Sequence, residues 1–202
     1  MNGRVTFSTE KHGRYEIKSG PLKGAWAANA FRGKSLIAQA TGASRDEVTS
    51  NIKAQLDGID AVELSARDQE GAPSAKVYEQ AFLALGELND GYRAMLQAHL
   101  HATDHLISAT KLAEAAGYAN WSAANLHYGL LGARIAEEIN FVPPSRADGS
   151  KIWTCAIARD PSVDLEFPDT SLMEALLRQI VDQHFEWQMR PQVVEALRAL
   201  GY

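Results

Sequence analysis

Residues Ser108 to Ile139 read SATKLAEAAGYANWSAANLHYGLLGARIAEEI, two helical patterns joined by a turn short enough to force a sharply angled helix pair. Ser108 suits an N-cap, and Leu112, Ala113 and Ala116 recur at the spacing of one helix face until Gly117 stops the pattern. After Tyr118-Ala119-Asn120-Trp121, Ser122 is the second N-cap candidate. It opens a longer run in which Leu131, Ile135 and Ile139 fall at i, i+4 and i+8. A short helix, a Gly-containing turn and a second helix make the helix-turn-helix pattern, which sets the first residues of its second helix against base edges in the major groove. Here those residues are Asn120, Trp121, Ser122 and Asn125. An Asn amide pairs bidentately with adenine N6 and N7, so Asn125 is the base-reading candidate. Asn125, Gly129 and Gly132 also leave one helix face almost bare, so either another helix or a DNA backbone approaches it closely. Trp121 reads either as a core residue or as a base contact.

The stretch resembles a winged helix-turn-helix module associated with HNH-type, modification-dependent restriction endonucleases of bacteria and their viruses. The shared pattern runs through Ala109, Thr110, Leu112, Ala113, Gly117, Tyr118, Ala124, Asn125, Leu126, Tyr128, Gly129, Leu131 and Gly132. It departs at Ser108, where the pattern has Thr. A weaker likeness extends from Tyr92 to Arg159 and through the C-terminal stretch. The resemblance implies DNA recognition, with Tyr118 and Trp121 framing the methyl group of a modified base. No nuclease motif accompanies it, so the implied role is recognition.

With 202 residues and 46% hydrophobic content, the chain can bury a proper core as one domain or two small ones. No apolar run approaches the roughly 18 residues of a membrane span, and Met-Asn-Gly-Arg-Val-Thr at the start has no signal-peptide apolar region. A cytoplasmic protein with no membrane partner is expected. Cys155 is the only cysteine, which excludes an intrachain disulfide and a multi-cysteine zinc site and suits a small buried hydrophobe in a strand.

The net charge of −5 argues against coating nucleic acid through bulk electrostatics, but the charge is unevenly spread. Residues 1 to 45 carry eight Lys and Arg against two Glu, residues 91 to 160 carry six against six, and the last 42 residues carry three against seven. Phosphate affinity comes from Lys and Arg, so a DNA-binding role points to the first quarter for backbone contacts. The candidates there are Lys11, Arg14, Lys18, Lys23, Arg32 and Lys34, near Trp26. A solvated sheet face carries the same charges.

Residues 1 to 60 read as a small basic α+β domain. Val5 to Ser8, Tyr15 to Lys18, Ala25 to Arg32 and Ser35 to Thr41 are β-compatible runs separated by Gly13, Gly20-Pro21 and Gly33, giving an antiparallel sheet. Ser44-Arg45-Asp46-Glu47 is a capping box opening a helix with Val48, Ile52 and Leu56 on one face, laid on the sheet. Glu16-Ile17-Lys18 has the acid-x-lysine form of metal-dependent nucleases, but such a site needs a further carboxylate and only Glu10 precedes it. Residues 58 to 74 lack periodicity and carry Gly and Pro, so 61 to 74 are expected as a linker.

A mainly helical winged helix-turn-helix domain is then expected over 75 to 202. Ser74 caps a helix with Val77, Phe82 and Leu85, ending near Gly86. The next, from about Gly91 to Ala102, turns Tyr92, Met95, Leu96 and His99 inward. His99, His101 and His105 have metal-like spacing, but Ala102-Thr103-Asp104 ends the helix between them. The alternative is solvent-facing imidazoles, with Leu106-Ile107 starting a strand. Lys151 to Arg159 alternates as a strand, entered by the turn Asp148-Gly149 and paired with His184 to Arg190, and Arg146 and Lys151 sit at the tip of a wing or its loop. Ser171 to Glu174 opens a helix with Leu172, Leu176, Leu177 and Ile180, and Pro191 starts a last one with Val193, Leu197 and Leu200.

The first reading is therefore a non-catalytic protein that binds double-stranded DNA through the helix at 122 to 139, with Lys111, Tyr118, Asn120, Trp121, Ser122, Asn125, Arg134, Arg146 and Lys151 at the interface. The second is an acidic interaction module that binds a partner protein, such as a nuclease. A metal-dependent nuclease ranks last. No phosphate-binding Gly-rich loop or nucleophile-base pair is visible, so no cofactor or metal is expected. An apolar acidic C-terminal face is compatible with a homodimer.

Overall fold

The computed structural model describes residues 7–161 and 186–202. The chain is α+β and divides into two compact units, residues up to Ser74 with Gln80–Gly86, and Ala75–Glu79 with Glu87–Tyr202.

The first unit is a four-stranded antiparallel meander with a helix on one face. β1 (Ser8–His12), β2 (Tyr15–Leu22), β3 (Ala25–Arg32) and β4 (Ser35–Gly42) pair in sequence order. Each hairpin closes through a two-residue turn, since His12 pairs with Tyr15, Leu22 with Ala25 and Arg32 with Ser35. The middle turn is Lys23-Gly24, both at positive φ, and the Gly20-Pro21 break expected from the sequence lies inside β2. Two features permit this. β1 pairs only as far as Ser19, so Pro21 sits where β2 is an edge strand. Phe7 covers Gly20 so closely that a Cβ there would lie 2.6 Å from its ring.

Alternation puts Tyr15, Ile17, Ala28, Ala30, Ala38 and Ala40 on one face. Against them lie Val48, Ile52 and Leu56 of α1 (Arg45–Ser65), all fully buried as their spacing requires. The small alanines let the helix approach the sheet. The capping box forms, with Ser44 Oγ accepting from the Glu47 N–H and Glu47 reaching back to the Ala43 N–H. α1 continues to Ser65, through Gly58 and into the stretch expected as linker. Its last turns are held by Arg14, as described below.

α2 (Ala75–Leu85) follows, ending at Gly86 with φ +71. In the second unit α3 (Asp90–His101), β5 (Leu106–Ser108), α4 (Ala109–Ala116) and α5 (Trp121–Glu138) lead to β6 (Ala158–Arg159), β7 (Glu186–Met189) and α6 (Pro191–Ala199). β7 lies between β5 and β6, antiparallel to both. Leu112, Ala124, Tyr128, Leu131, Ile135 and Ile139 are buried, with Val193 and Leu197 of α6. Each large apolar side chain so buried contributes on the order of 1.5–3 kcal/mol.

Lys151 to Arg159 is not one strand. Trp153–Ala156 forms a 3₁₀ turn, only Ala158 and Arg159 pair with β7, and Cys155 is half-buried in the turn. The cause is the bare face of α5. The Trp153 backbone lies against Gly132, where a Cβ would come within 2.3 Å of the Trp153 oxygen. A second element of the chain fills that face at Gly132, while Asn125 at its other end stays exposed. The helix read at Ser171–Glu174, with Leu172, Leu176, Leu177 and Ile180, and the start of the strand at His184 lie outside the described residues.

Candidate nucleic-acid interface

Between α4 and α5 the turn is fixed by its termini. Ser108 Oγ accepts from the Lys111 N–H, and Gly117 at φ +68 ends α4 with the Tyr118 N–H donating to the Ala113 carbonyl at 2.9 Å. α5 starts two residues earlier than the Ser122 cap implies. Asn120 is the N-cap, its side-chain oxygen accepting from the Ala123 N–H at 3.0 Å. Its side-chain oxygen is thus engaged by the backbone.

The first turns of α5 face two ways. Ala124 and Tyr128 are buried, whereas Trp121, Ser122, Asn125 and Leu126 are exposed, Trp121 by 54% and Leu126 by 61%. Trp121 is therefore a surface residue. Tyr118 in the turn stacks on His127, ring centroids 4.7 Å apart and planes 11° apart, so one of its faces is already covered. Lys111 is exposed on α4. Arg134 lies nine positions beyond Asn125, roughly 13 Å along the helix, and is exposed.

Arg146 and Lys151 belong to a tight loop between α5 and the 3₁₀ turn, closed by the Ser145–Lys151 bridge. Arg146 donates to Ser150 Oγ and the Lys151 carbonyl, and Lys151 Nζ donates to Ser145 Oγ at 2.8 Å. This loop lies between α5 and the 3₁₀ turn and not between β6 and β7; residues 162–185 lie outside the described residues.

The six basic residues proposed for phosphate contact are not all brought together. Arg14 is turned to the helix side, its guanidinium bonded to Asp60 at 2.7 Å, to Glu63 and to the Tyr15 hydroxyl. Its side chain is 2% exposed. Burial pushes the Tyr15 hydroxyl up to about 12, with its bond to Asp60 adding to the shift. Arg32 is also buried and donates to Gln80. Lys11 and Lys18 lie on the open face of the sheet, Lys23 and Lys34 in hairpin turns at opposite ends.

Neither metal pattern assembles. Glu10 sits opposite Ile17 in the register and pairs with Lys53, whereas Glu16 points to the other face and pairs with Lys18 at 2.9 Å. Of the histidines, His99 is fully buried, as its place on the inward stripe of α3 requires, and not solvent-facing. Its Nε2 faces the carbonyls of His105 and Trp187 at 3.0 and 2.9 Å, and its Nδ1 faces the Tyr128 hydroxyl at 2.7 Å. Nε2 therefore carries the proton and Nδ1 accepts from Tyr128. Burial lowers the His99 pKa to about 4. His101 is exposed, and His105 Nδ1 bonds the Leu100 carbonyl. Among the described residues no group of three or more His, Cys, Asp or Glu is placed to hold a metal ion. No helix among them is long and apolar enough to cross a membrane.

The sequence reading missed an apolar feature on α5. Leu126 and Leu130 are exposed, and Leu130, Phe141, Val142 and Trp153 line an open groove of about 780 Å³. Their i, i+4 spacing beside the buried stripe was the available signal.

Compared with known proteins, the chain matches no family model, no curated protein and no solved structure.

Proposed function

We propose that the second unit is a winged helix-turn-helix module that binds double-stranded DNA by laying the first turns of α5 in the major groove. The observation that carries this reading is the outward set Trp121, Ser122 and Asn125 at the start of a helix whose opposite face is packed. The order helix, strand, helix, helix, strand, strand, with the last strand in the middle of the sheet, supports it. Asn125 supplies the bidentate amide for adenine, and Lys111 stands on the neighbouring helix for a phosphate. Trp121 offers an apolar surface to a thymine or modified-base methyl group. No cofactor or catalytic residue enters this role.

The test is binding of short duplexes, unmodified or methylated on adenine or cytosine, by the protein and by Asn125→Ala. Loss of one bidentate pair costs about 1–3 kcal/mol, so a drop of roughly tenfold is expected. A preference among the duplexes would identify the modification read. Equal binding by the variant contradicts the proposal.

A second reading rests on Leu126, Leu130 and the groove beside them. Exposed apolar side chains on a DNA-reading helix suit a protein partner better than phosphates. A partner protein would then bind the same helix, and binding to DNA would be absent at low salt.

A further inference from the structure

The helix of the first unit covers only one face of its sheet. The register places Lys11, Glu16, Phe31 and Leu36 in one row across the open face, and Thr9, Lys18, Asn29 and Gln39 in the next. Phe31 is half-buried in the row nearest the Gly33-Lys34 turn, with the Lys18 ammonium 5.4 Å from its ring centroid. Beside it, Gln39 donates to Asn29 at 3.0 Å, forming an exposed pair of side-chain amides.

Charge is sorted between the two faces. On the helix side, Asp57, Asp60 and Glu63 take up His12 and Arg14, and Glu10 takes up Lys53. On the open face the only carboxylate in these two rows, Glu16, is bound to Lys18, while Lys11 and the turn residues Lys23 and Lys34 make no ion pair among the described residues. The open face thus carries unpaired lysines, an aromatic ring near the Lys34 turn and a pair of amides beside it.

We propose that this face binds single-stranded DNA, with a base stacked on Phe31, the amides of Asn29 and Gln39 meeting base edges, and Lys11, Lys18 and Lys34 meeting phosphates. An aromatic ring on an open sheet binds unpaired bases because every base has a stacking face, and lysines around it track the backbone. Lys18 over Phe31 does not oppose this. A cation over a ring open to solvent on one side is held weakly, and an incoming base displaces it toward the phosphate that the base brings. A duplex hides its base faces and cannot use the ring. The choice of DNA over RNA rests on the duplex reading of α5; the stacking face does not.

The experiment is fluorescence anisotropy of a short oligothymidylate, the matching oligouridylate and a duplex, with the full chain. Phe31→Leu keeps an apolar side chain and removes the ring, whereas Phe31→Tyr keeps the ring. The expected result is at least about tenfold weaker oligothymidylate binding by Phe31→Leu, near-native binding by Phe31→Tyr, and no effect of Asn125→Ala. The double variant Lys11→Gln, Lys18→Gln should lower the salt slope by about 1.4, the loss of two single-strand phosphate contacts. Absence of oligothymidylate binding at low salt, or equal binding by Phe31→Leu, overturns the proposal. Tighter binding of oligouridylate overturns the assignment to DNA. Loss of duplex binding alone in Asn125→Ala, with oligothymidylate retained, supports both sites as separate.

Discussion

The Nδ1 atom of His99 lies 2.7 Å from the hydroxyl of Tyr128, joining α3 to α5 in the interior of the second unit. The opposite ring nitrogen reaches the carbonyls of His105 and of Trp187 on β7. One imidazole thus ties both helices to the small sheet, and burial favours its neutral form. Protonation would reverse the bond, with Nδ1–H donating to the Tyr128 oxygen, and would place a charge in the core.

A pH dependence follows. The folded pKa of His99 is lowered to about 4 by burial, from an ordinary value of 6.5. The neutral ring's contribution is fully present above pH 6.5 and is lost as pH falls through the window from 6.5 to 4. Its size is about 3 kcal/mol. Urea unfolding at pH 7 and pH 4 should show this loss in the native protein and a much smaller one in His99→Gln. A flat profile in the native protein would mean that His99 is not held neutral.

Tyr128→Phe removes the donor to Nδ1 without changing the packed volume. It should cost about 1–3 kcal/mol, the penalty of an unsatisfied buried acceptor. Chemical denaturation measures it, and a change below about 0.5 kcal/mol would argue against the bond.

The two glycines of α5 should respond oppositely. At Gly132 a Cβ meets the Trp153 carbonyl oxygen at 2.3 Å, a backbone atom that cannot turn aside. Gly132→Ala should destabilise by about 2–3 kcal/mol or more through overpacking. At Gly129 the nearest atom, Thr154 Oγ1, is 3.9 Å away, so Gly129→Ala should gain up to about 1 kcal/mol of helix propensity. Melting temperatures of the pair test the contact between α5 and the 3₁₀ turn, and similar shifts would contradict it.

In the first unit, Arg14→Met should cost about 3 kcal/mol, since it leaves Asp60 and Glu63 together without their cation. The loss should concentrate in the last turns of α1. Hydrogen exchange there should speed up relative to the turns that carry Val48 and Ile52. Unchanged exchange at 60–65 would mean that Arg14 does not hold the helix end.

These positions also show what the sequence could reveal. The periodic residues were legible: Val48, Ile52 and Leu56, or Tyr92, Leu96 and His99, fall on buried faces because helix spacing alone sorts them. Gly117 ends α4 because only its backbone accepts the left-handed turn cheaply. What escaped depended on tertiary partners. Arg14 and Arg32 look like surface charges until α1 and Gln80 arrive, and α1 outlasts Gly58. Lys151 to Arg159 alternates like a strand, yet the bare face at Gly132 draws in a tighter turn. Asn120 and Ser122 are both good caps two residues apart, and local sequence does not choose between them.

In the proposed function, α5 enters a DNA groove by its first turns. Hydrogen exchange of the full chain, free and saturated with duplex at low salt, tests it most directly. The account expects slowed exchange over residues 117–126, diminishing as salt rises, with α6 unaffected. Binding that leaves 117–126 unchanged, or no binding at all, would contradict it and leave the apolar surface at Leu126 and Leu130 as a site for a partner protein.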